Sequence, residues 1–377
     1  MANKRGNGEG GITRHKKSGL YMARYTVRTP TGPKRKTIYG KTRREVDEKL
    51  TKAKADRDGG LVFDADNLIL GDYLDRWVND SVRGTVRQRT WERYEQIVRV
   101  HLKPKLGRVK LKNLTPTHAR ALYREKLDSG LAPRTVNYIH TTLSKALKEA
   151  VSDGLIPRNA ASPVKAPKPA KKEIHPLSPE QARTLLEAAR GDRFEFLYVL
   201  AVHCGLREGE LLGLKWEDLN LEAGKLSVRR TLSETRNGPV FEAPKNGKGR
   251  SVKLTARAVE TLRAHLERQL EEIEQAGDLY DDHGLVFPNQ AGGPMRQWSL
   301  YGGPFKRLLQ RAGLPQKTRF HDLRHTCATL LLSKGMHPKF VQELLGHATI
   351  SITLDTYSHV LPGMGDQTVK AMEDVLS

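Results

Sequence analysis

Several features that mark common classes of protein are missing from this sequence. Among its 377 residues there are only two cysteines, Cys204 and Cys327, which are too few for a disulfide framework or a cysteine-rich metal site. No stretch approaches 18 consecutive apolar residues, so a membrane-spanning helix is excluded. The first twenty residues lack the apolar segment of a secretion signal. These absences predict a soluble cytoplasmic protein without a membrane partner.

Motifs for nucleotide and metal chemistry are missing as well. The chain has no GxxxxGK[S/T] loop for nucleotide phosphates and no HExxH pair or Cys/His spacing for zinc. His321 and His325 are four residues apart, as in some metal sites, but no acidic third ligand has a comparable placement. The acidic triad of a two-metal nuclease is not apparent. The sequence therefore predicts no metal and no other cofactor.

Negative charge is scarce in the first half of the chain. The whole sequence has 65 Lys and Arg against 43 Asp and Glu, a net charge of +22. Residues 1–60 have a net charge of +11, residues 61–170 of +9, and residues 171–377 of only +2. Nucleic acid is the polyanion that most often explains such an excess. The asymmetry predicts DNA-binding modules attached to a domain with a different task, with a basic surface that only aids solubility as the alternative.

The first sixty residues predict a small basic domain. Gly19 to Arg28 alternates and is rich in Tyr, Val and Thr, and Lys34 to Tyr39 is typical of its hairpin partner. A short leading strand makes three. Thr42 and Glu45 form a capping box that starts a helix to about Asp58. Such a domain is too small for an enzyme but suits a DNA groove. The candidate DNA-binding residues are its basic side chains Arg14, Lys16, Lys17, Arg24, Arg28, Lys34, Arg35 and Lys36.

Residues 61–156 predict four helices, because apolar side chains recur there at helical spacing in four segments. These segments begin near Leu70, Thr90, Pro116 and Pro133. Residues 157–176 contain five prolines and no apolar periodicity. This composition is typical of an extended, semi-rigid linker, and its basic residues suit a phosphate backbone.

Residues 177–377 predict a mainly helical domain with a small sheet. Phe194 to Gly205 is expected to be a buried helix, and Thr255 to Ala276 a long helix with an exposed charged face. Strands are predicted over Lys225 to Leu232 and over Arg250 to Leu254. They flank a turn that contains an Asn-Gly pair.

Four short segments of this domain carry groups suited to chemistry on a phosphate. Arg207 follows a helix-breaking glycine and precedes a new helix, and a guanidinium fits two phosphate oxygens. Taken alone, a surface ion pair with Glu210 is the simpler interpretation of this arginine. His321 and Arg324 are three residues apart and share a helix face. His325 is expected to point elsewhere.

The other two segments offer a nucleophile and an acid. Tyr357, ten residues after His347, has a hydroxyl that can attack phosphorus if nearby cations stabilise its phenolate. A core tyrosine is the alternative. Lys245, in the turn between the predicted strands, has an ammonium that can protonate a leaving oxygen, with Lys248 as a rival. Each segment alone is a weak signal.

In this order and spacing, the segments together resemble the tyrosine recombinases, the phage-integrase family. The matching stretches are GLREGELLGLKWEDL around Arg207, the turn lysine Lys245, HDLRHTCAT with His321 and Arg324, and LLGHATISITLDTYSH with His347 and Tyr357. The resemblance covers essentially the whole chain, and no catalytic position departs from the pattern.

The resemblance implies a multidomain, mainly α-helical protein with small β-sheets. Residues 1–60 would form an arm-type DNA-binding domain with a three-stranded sheet and a helix, and residues 61–156 a four-helix, SAM-like core-binding domain. Residues 157–176 would be a basic linker. Residues 177–377 would form the mixed α/β catalytic domain and a C-terminal tail.

The resemblance also implies a site-specific recombinase that integrates the DNA of a phage or integrative element. Tyr357 would attack a phosphodiester and leave a 3′-phosphotyrosine and a free 5′-hydroxyl. Arg207 and Arg324 would neutralise the phosphorane. His321 would take part in proton transfer from Tyr357, and His347 would bond a non-bridging oxygen.

Two further residues receive roles from the resemblance. Lys245 would be the general acid for the departing 5′ oxygen, and Glu210 would orient the site. Because the covalent bond stores the phosphodiester energy, neither ATP nor a metal would be required.

The implied partners are double-stranded DNA, with core and arm attachment sites, and three further copies of the chain in a homotetramer that passes through a Holliday junction. An excisionase and a host DNA-bending protein are additional expected partners. The protein would act in the cytoplasm of a bacterial host, at the nucleoid when bound. Three alternatives stay open: another recombinase or transposase with the same chemistry, a non-catalytic DNA-binding regulator, and a type IB topoisomerase-like enzyme.

Overall fold

The structure is a computed structural model that describes residues 11–29, 32–58, 67–170, 174–245, 247, 249–358 and 372–376. For residues 27–34 and 56–58 within these ranges, only the backbone is described. The chain divides into two compact units, with the boundary along the chain between Lys171 and Lys172. Each unit is built around its own buried apolar side chains.

The first unit begins with a three-stranded antiparallel sheet in the order β1-β2-β3. The strands are β1 (Ile12–Arg14), β2 (Tyr21–Thr29) and β3 (Gly32–Gly40), and helix α1 (Arg43–Asp58) follows. The backbone amide of Glu45 donates to Thr42 Oγ1 at 3.1 Å, so Thr42 caps the helix as expected. The sheet and the helix enclose a small core of Ala23, Tyr25, Val46, Leu50 and Ala53. The predicted sheet-plus-helix fold is confirmed.

Four helical segments complete the first unit, as the apolar periodicity predicted. They are α2 (Leu70–Arg76), which continues as a π-helix over Trp77–Val82, α3 (Gln88–Ile97), which continues over Val98–Leu102 into α4 (Lys103–Leu106), α5 (Pro116–Asp128) and α6 (Pro133–Ser152). A 3₁₀ turn lies at Leu111–Asn113. Trp77 is the largest fully buried side chain here, and Leu102, Leu111 and Ile139 are also fully buried.

The expectation of an extended linker is wrong for its first half. Ala160, Ala161 and Val164 are buried in the core of the four helices. Asn159 Nδ2 also donates to the carbonyl of Ser144 at 2.9 Å. Small side chains without periodicity can fill a gap between helices, which is why the composition alone did not reveal this packing. Residues 165–170 and 174–176 form neither helix nor strand.

The second unit is mainly helical and is centred on α8, in which every residue from Phe196 to Val202 is buried. Its helices are α7 (Pro179–Ala188), α8 (Glu195–His203), α9 (Glu208–Leu212), α10 (Ala256–Ala276), α11 (Gln297–Leu300), α12 (Lys306–Arg311), α13 (Phe320–Ser333), α14 (Pro338–Leu345) and α15 (Ile350–Tyr357). Shorter helical turns lie at Trp216–Asp218, Gly277–Leu279 and Tyr301–Phe305. Within the described residues, no helix has the length and apolar character needed to cross a membrane.

Two small antiparallel sheets replace the single pair of strands that the sequence predicted here. One contains β4 (Leu219–Asn220), β5 (Lys225–Val228) and β8 (Arg250–Lys253) in the order β4-β5-β8. The other is a hairpin of β6 (Thr231–Thr235) and β7 (Gly238–Glu242).

The predicted strand Lys225 to Leu232 is therefore divided after Val228. Arg230 leaves the first sheet and forms an ion pair with the buried carboxylate of Asp218, with 2.7 Å between Nη1 and Oδ2. The next strand turns back through Arg236 and Asn237, and Gly238, with φ of +112°, begins β7 opposite Thr235. An Asn-Gly pair between alternating residues is a standard hairpin signal, and the sequence analysis missed it at this position.

Residues 372–376 form a short helical segment with exposed side chains. The rest of the predicted C-terminal tail lies outside the described residues.

Candidate active site

Arg207 immediately precedes α9, at the point where the helix-breaking Gly205 was expected to place it. Its Nη1 donates to Oε1 of Glu210 at 2.8 Å, and the carboxylate accepts the Arg207 backbone amide at 2.9 Å. The Nη2 atom donates to the carbonyl of Gly346 at 3.1 Å. Both Nη atoms of Arg207 are thus hydrogen-bonded, while about a third of its side chain remains exposed.

A second arginine, Arg250, meets the same carboxylate from the start of β8. Its Nη1 and Nη2 donate to the two oxygens of Glu210 at 3.0 and 2.7 Å, and its Nε donates to the carbonyl of Leu344 at 2.7 Å. Arg250 was not among the site residues predicted from the sequence. No local pattern could have revealed it, because its partner lies forty positions away along the chain.

Glu210 is ionised in this environment although its side chain is only 2% exposed. Burial alone would raise the pKa of its carboxyl, but the hydrogen bond and charge of Arg250, together with the charge of Arg207, lower that pKa to about 2. The carboxylate therefore orients two guanidinium groups at once.

A third guanidinium, that of Arg324 on α13, is buried to 3% exposure. Its Nη1 donates to the carbonyl of Gly205 at 2.6 Å, and its Nη2 to the carbonyl of Leu345 at 2.7 Å. Burial, with a further contribution from the charge of Arg207, lowers the pKa of Arg324 to about 9, so it is still cationic at neutral pH. Gly205, with φ of +60°, is required at this point, because a Cβ there would lie 2.5 Å from Leu345 Cδ2.

Three guanidinium groups and one carboxylate therefore lie close together. The charges of Arg207, Arg250 and Glu210 all act on Arg324, and only two of the three arginines, Arg207 and Arg250, are paired with Glu210. In a site of reduced solvent exposure, the uncompensated positive charge favours a bound anion, and guanidinium groups suit the oxygens of a phosphate.

His347 lies beside these arginines, one residue after the turn that ends α14. Gly346 makes this turn in the left-handed conformation, with φ of +64°. His347 Nδ1 shares a hydrogen bond of 2.9 Å with Thr353 Oγ1. Burial, followed by the charges of Arg324 and Arg207, lowers the pKa of His347 to about 4, so the ring is neutral at pH 7.

Tyr357 is the last residue of α15 and is only 2% exposed. Its ring packs in a small apolar cluster with Ala328, Leu332, Val341 and Leu345. Burial raises the pKa of its hydroxyl to about 12, although the nearby charge of Arg324 opposes this increase. The tyrosine is thus a protonated phenol under the influence of the site's most buried cation.

The expectation that His325 points away from the site is wrong. His325 Nδ1 and Tyr357 Oη are 2.7 Å apart. His321, which the sequence analysis selected, packs edge-on against His325 with 5.0 Å between the ring centroids. His321 is exposed, yet desolvation and the neighbouring His325 and Arg324 lower its pKa to about 4. The two histidines lie one turn apart on α13. The hydroxyl of Tyr357, in the last turn of α15, lies within hydrogen-bond distance of His325.

Lys245 is exposed and lies in the connection between β7 and β8, not at the tip of a hairpin formed by the two predicted strands. The turn is closed by the backbone amide of Gly247, which donates to the carbonyl of Pro244 at 2.9 Å. The rival Lys248 lies outside the described residues. The structure therefore places Lys245 on a surface turn that continues into the strand of Arg250.

The eight basic residues of the N-terminal sheet do not all share one face. Arg24 and Arg35 are exposed and lie on the outer face of the sheet, where they pair with Thr37 and Thr26 on the neighbouring strands. Lys36 pairs with the buried Tyr25, on the side of the sheet that faces α1. The two-residue alternation of strands explains this division.

The remaining predicted arm residues are distributed around the first turn and the second hairpin. Lys16 and Lys17 are exposed in the turn after β1, and the Arg14 guanidinium lies 5.7 Å from the centre of the Tyr21 ring. For Arg28 and Lys34, only the strand backbone is described. Among the described residues of the whole chain, no cluster of three or more His, Cys, Asp or Glu could hold a metal ion.

Comparison with known proteins identifies the chain. Residues 175–363 match the family model of the phage integrase family, and residues 69–127 match that of the phage integrase N-terminal SAM-like domain. The chain belongs to the phage integrase family. It is 31% identical over 361 residues to a tyrosine recombinase XerC-like protein of Caldanaerobacter subterraneus subsp. tengcongensis, across 90% of this chain and 92% of that one. It is also 28% identical over 375 residues to an integrase of Streptomyces ambofaciens, across 95% and 94%.

Solved integrases share the fold of this phage-integrase family member. The Tn1549 transposon integrase in complex with transposon right end DNA has a TM-score of 0.68 and 24% identity, over 82% of this chain and 100% of that one. A lambda integrase tetramer bound to a Holliday junction has a TM-score of 0.59 and 22% identity, over 94% and 96%. Family membership confirms the prediction of a tyrosine recombinase, an enzyme that cleaves and rejoins DNA at specific sites.

Proposed function

We propose that this recombinase cleaves DNA with Tyr357 and that the arginine cluster around Glu210 holds the scissile phosphate. The observation that carries the proposal is the pairing of Arg207 and Arg250 with one buried carboxylate, beside the buried guanidinium of Arg324 on which their charges act. A phosphodiester in this site meets more positive than negative charge. Its negative charge increases in the pentacoordinate transition state, so these cations stabilise the transition state more than the ground state.

The cleavage step transfers phosphorus from one oxygen to another. The Tyr357 oxygen attacks phosphorus, a 3′-phosphotyrosine bond forms, and the bond from phosphorus to the 5′ oxygen breaks. Arg207 and Arg324 are assigned to the phosphate oxygens, and His347 to a non-bridging oxygen. Tyr357 is almost fully buried in the free chain, so its hydroxyl has to become accessible to the phosphate when DNA binds.

The leaving 5′ oxygen needs a proton, and Lys245 is assigned as its source. The lysine is exposed on a turn that leads into β8, where Arg250 contacts the phosphate site through Glu210. A flexible ammonium on such a turn can approach a DNA backbone. Glu210 acts as a positioning residue because it contacts the two arginines.

Residues 1–60 are proposed as the arm-type DNA-binding domain and residues 61–156 as the core-binding domain. Their support is the basic excess of the sequence and the separate apolar cores of the sheet and of the four helices. We propose a homotetramer on DNA, supported by the likeness to a lambda integrase whose tetramer is bound to a Holliday junction. Action on the DNA of a mobile element, in the cytoplasm of a bacterial host, belongs to the same proposal. An excisionase and a host DNA-bending protein stay predictions.

A covalent trap tests the proposal. Incubation with a nicked duplex that carries the core site should give an SDS-resistant protein–DNA adduct in the presence of EDTA and without ATP. The Tyr357→Phe variant should bind the same duplex but form no adduct. An adduct with this variant would refute the assignment of the nucleophile, and binding without any adduct from the unmodified protein would favour a non-catalytic regulator.

A further inference from the structure

We infer that His325 is a further catalytic residue, which accepts the proton of Tyr357 while the tyrosine attacks DNA. The inference rests on the proposed function, because it assigns the base for the same nucleophile. It also changes the predicted role of His321, which the sequence analysis placed in direct proton transfer.

The geometry at the hydroxyl supports this assignment. His325 Nδ1 lies 2.7 Å from Tyr357 Oη, and the two rings are inclined by 58°. A general base has to lie within about 2.6–3.2 Å of the atom that it deprotonates. The other histidines are placed differently: His321 has its edge against His325, and His347 Nδ1 is bonded to Thr353.

The packing around Tyr357 keeps its hydroxyl at this position. The ring is enclosed by Ala328 and Leu332 on α13 and by Val341 and Leu345 on α14. His325 lies one turn before Ala328 and two turns before Leu332 on the same helix. A single helix thus contributes both the wall beside the tyrosine ring and the acceptor for its proton.

The charge states of both groups suit the transfer. Burial lowers the pKa of His325 below its ordinary value, with further lowering by Arg319 and Arg324, while Asp322 opposes the change. A neutral imidazole has an acceptor nitrogen, and Tyr357, with a pKa of about 12, still has its proton. The titratable and charged groups that face His325 are His321, Asp322 and Arg324 on α13, Arg319 at its start, His347 after α14, and Tyr357 on α15.

The proton balance closes over a full reaction. During cleavage, the Tyr357 hydroxyl proton moves to His325 Nδ1, the tyrosine oxygen bonds to phosphorus, and the 5′ oxygen leaves with a proton from Lys245. During rejoining, a 5′-hydroxyl attacks phosphorus and returns its proton to Lys245. The tyrosine oxygen then leaves with the proton held on His325. Cleavage and rejoining therefore need no outside acid or base.

Substrates with two different leaving groups distinguish the role of His325 as a base from the role of Lys245 as an acid. The nicked core-site duplex is prepared with either the natural 5′ oxygen or a bridging sulfur at the scissile position, because a thiolate leaves without protonation. His325→Gln, which keeps a hydrogen-bonding group but is not a base, should slow adduct formation by about 10²–10⁴-fold on both substrates. Lys245→Ala should slow it on the oxygen substrate only.

Rescue and pH dependence distinguish a base from a packing residue. Added imidazole should restore part of the adduct formation of His325→Ala, and the acid limb of the rate profile should then follow the pKa of the added base. His283→Gln, an exposed histidine paired with Asp281, is the matched control and should retain the wild-type rate. Thermal unfolding and core-site binding check that His325→Gln and His325→Ala are folded.

Three outcomes would overturn the inference while the proposed function survives. These are a wild-type rate for His325→Gln, recovery of that variant on the sulfur substrate, or a folded His325→Ala whose lost activity imidazole does not restore. If the unmodified protein forms no adduct with either substrate, it is the proposed function that fails.

Discussion

Arg250 and Glu210 form a bidentate ion pair across the candidate site, with oxygen–nitrogen distances of 3.0 and 2.7 Å. The Nε atom of the same arginine donates to the carbonyl of Leu344 at 2.7 Å. One side chain therefore joins the start of β8, the helix after Arg207 and the end of α14. Because Lys245 precedes Arg250 by only five positions, the arginine also anchors one end of the segment that carries the proposed acid.

The Arg250→Lys variant should cleave about 10²-fold more slowly while core-site binding is nearly unchanged. A lysine cannot make all three hydrogen bonds, and each one lost from a charged group costs about 1.5–3 kcal/mol. The measurement is the single-turnover rate of adduct formation. Arg193→Lys is the control, because Arg193 makes a bidentate pair of 2.7 and 2.8 Å with Glu272 elsewhere in the unit. Equal losses in both variants would contradict a specific role for Arg250.

A methyl group at Gly346 should disturb the same junction. Its φ of +64° disfavours any other residue, and an added Cβ would lie 2.9 Å from Arg250 Nη1. Gly346→Ala should lose activity. It should also lose roughly 1–2 kcal/mol of stability, because alanine is strained in this backbone conformation. Gly335→Ala is a matched control, since Gly335 has φ of +76° and nothing within 4 Å of the added Cβ. Chemical denaturation and cleavage rates compare the two, and similar activity would show that the approach of Arg250 is unimportant.

The Glu210 carboxylate should make stability depend on pH. Its folded pKa of about 2 lies below the ordinary 4.5, so its contribution is complete above about pH 4.5 and decreases as the pH falls toward 2. Glu210→Gln should therefore be less stable than the wild type at pH 7, by an amount that diminishes as the pH falls from about 4.5 toward 2. Urea unfolding across this range measures the difference. A difference that does not change with pH would be inconsistent with an ionised carboxyl whose pKa is lowered in the folded protein.

Replacing Arg324 should separate cleavage from DNA binding. A lysine at this position cannot reach the carbonyls of Gly205 and Leu345 together, which the guanidinium bonds at 2.6 and 2.7 Å. Arg324→Lys should reduce cleavage by about 10²–10³-fold, as expected for the loss of one positioned transition-state donor. The proposed core-binding domain should supply most DNA contacts, so mobility-shift binding to the core site should persist. A parallel loss of binding would show that Arg324 maintains the fold more than it serves the reaction.

Local patterns predicted much of the fold but only part of the site. Thr42 was recognisable as a helix cap because its partner Glu45 lies only three residues away. The contact of His325 with Tyr357 spans 32 positions, and it depends on how α13 and α15 pack. Helical spacing alone could not decide whether His321 or His325 meets the tyrosine. The Asn237-Gly238 hairpin, by contrast, had a local signal and was predictable.

The outer face of the N-terminal sheet should supply salt-dependent affinity for arm-type DNA. Arg24 and Arg35 lie on this face and are exposed. Replacing both with alanine should weaken arm-site binding and lower the slope of log affinity against log salt by about 2, since each phosphate contact contributes about 0.9. Arg43→Ala with Lys52→Ala is the matched control, because it removes the same charge from exposed positions of α1. Titration by fluorescence anisotropy at several salt concentrations distinguishes the two pairs. If both pairs changed the slope equally, the total charge of the domain, and not the face of its sheet, would determine binding.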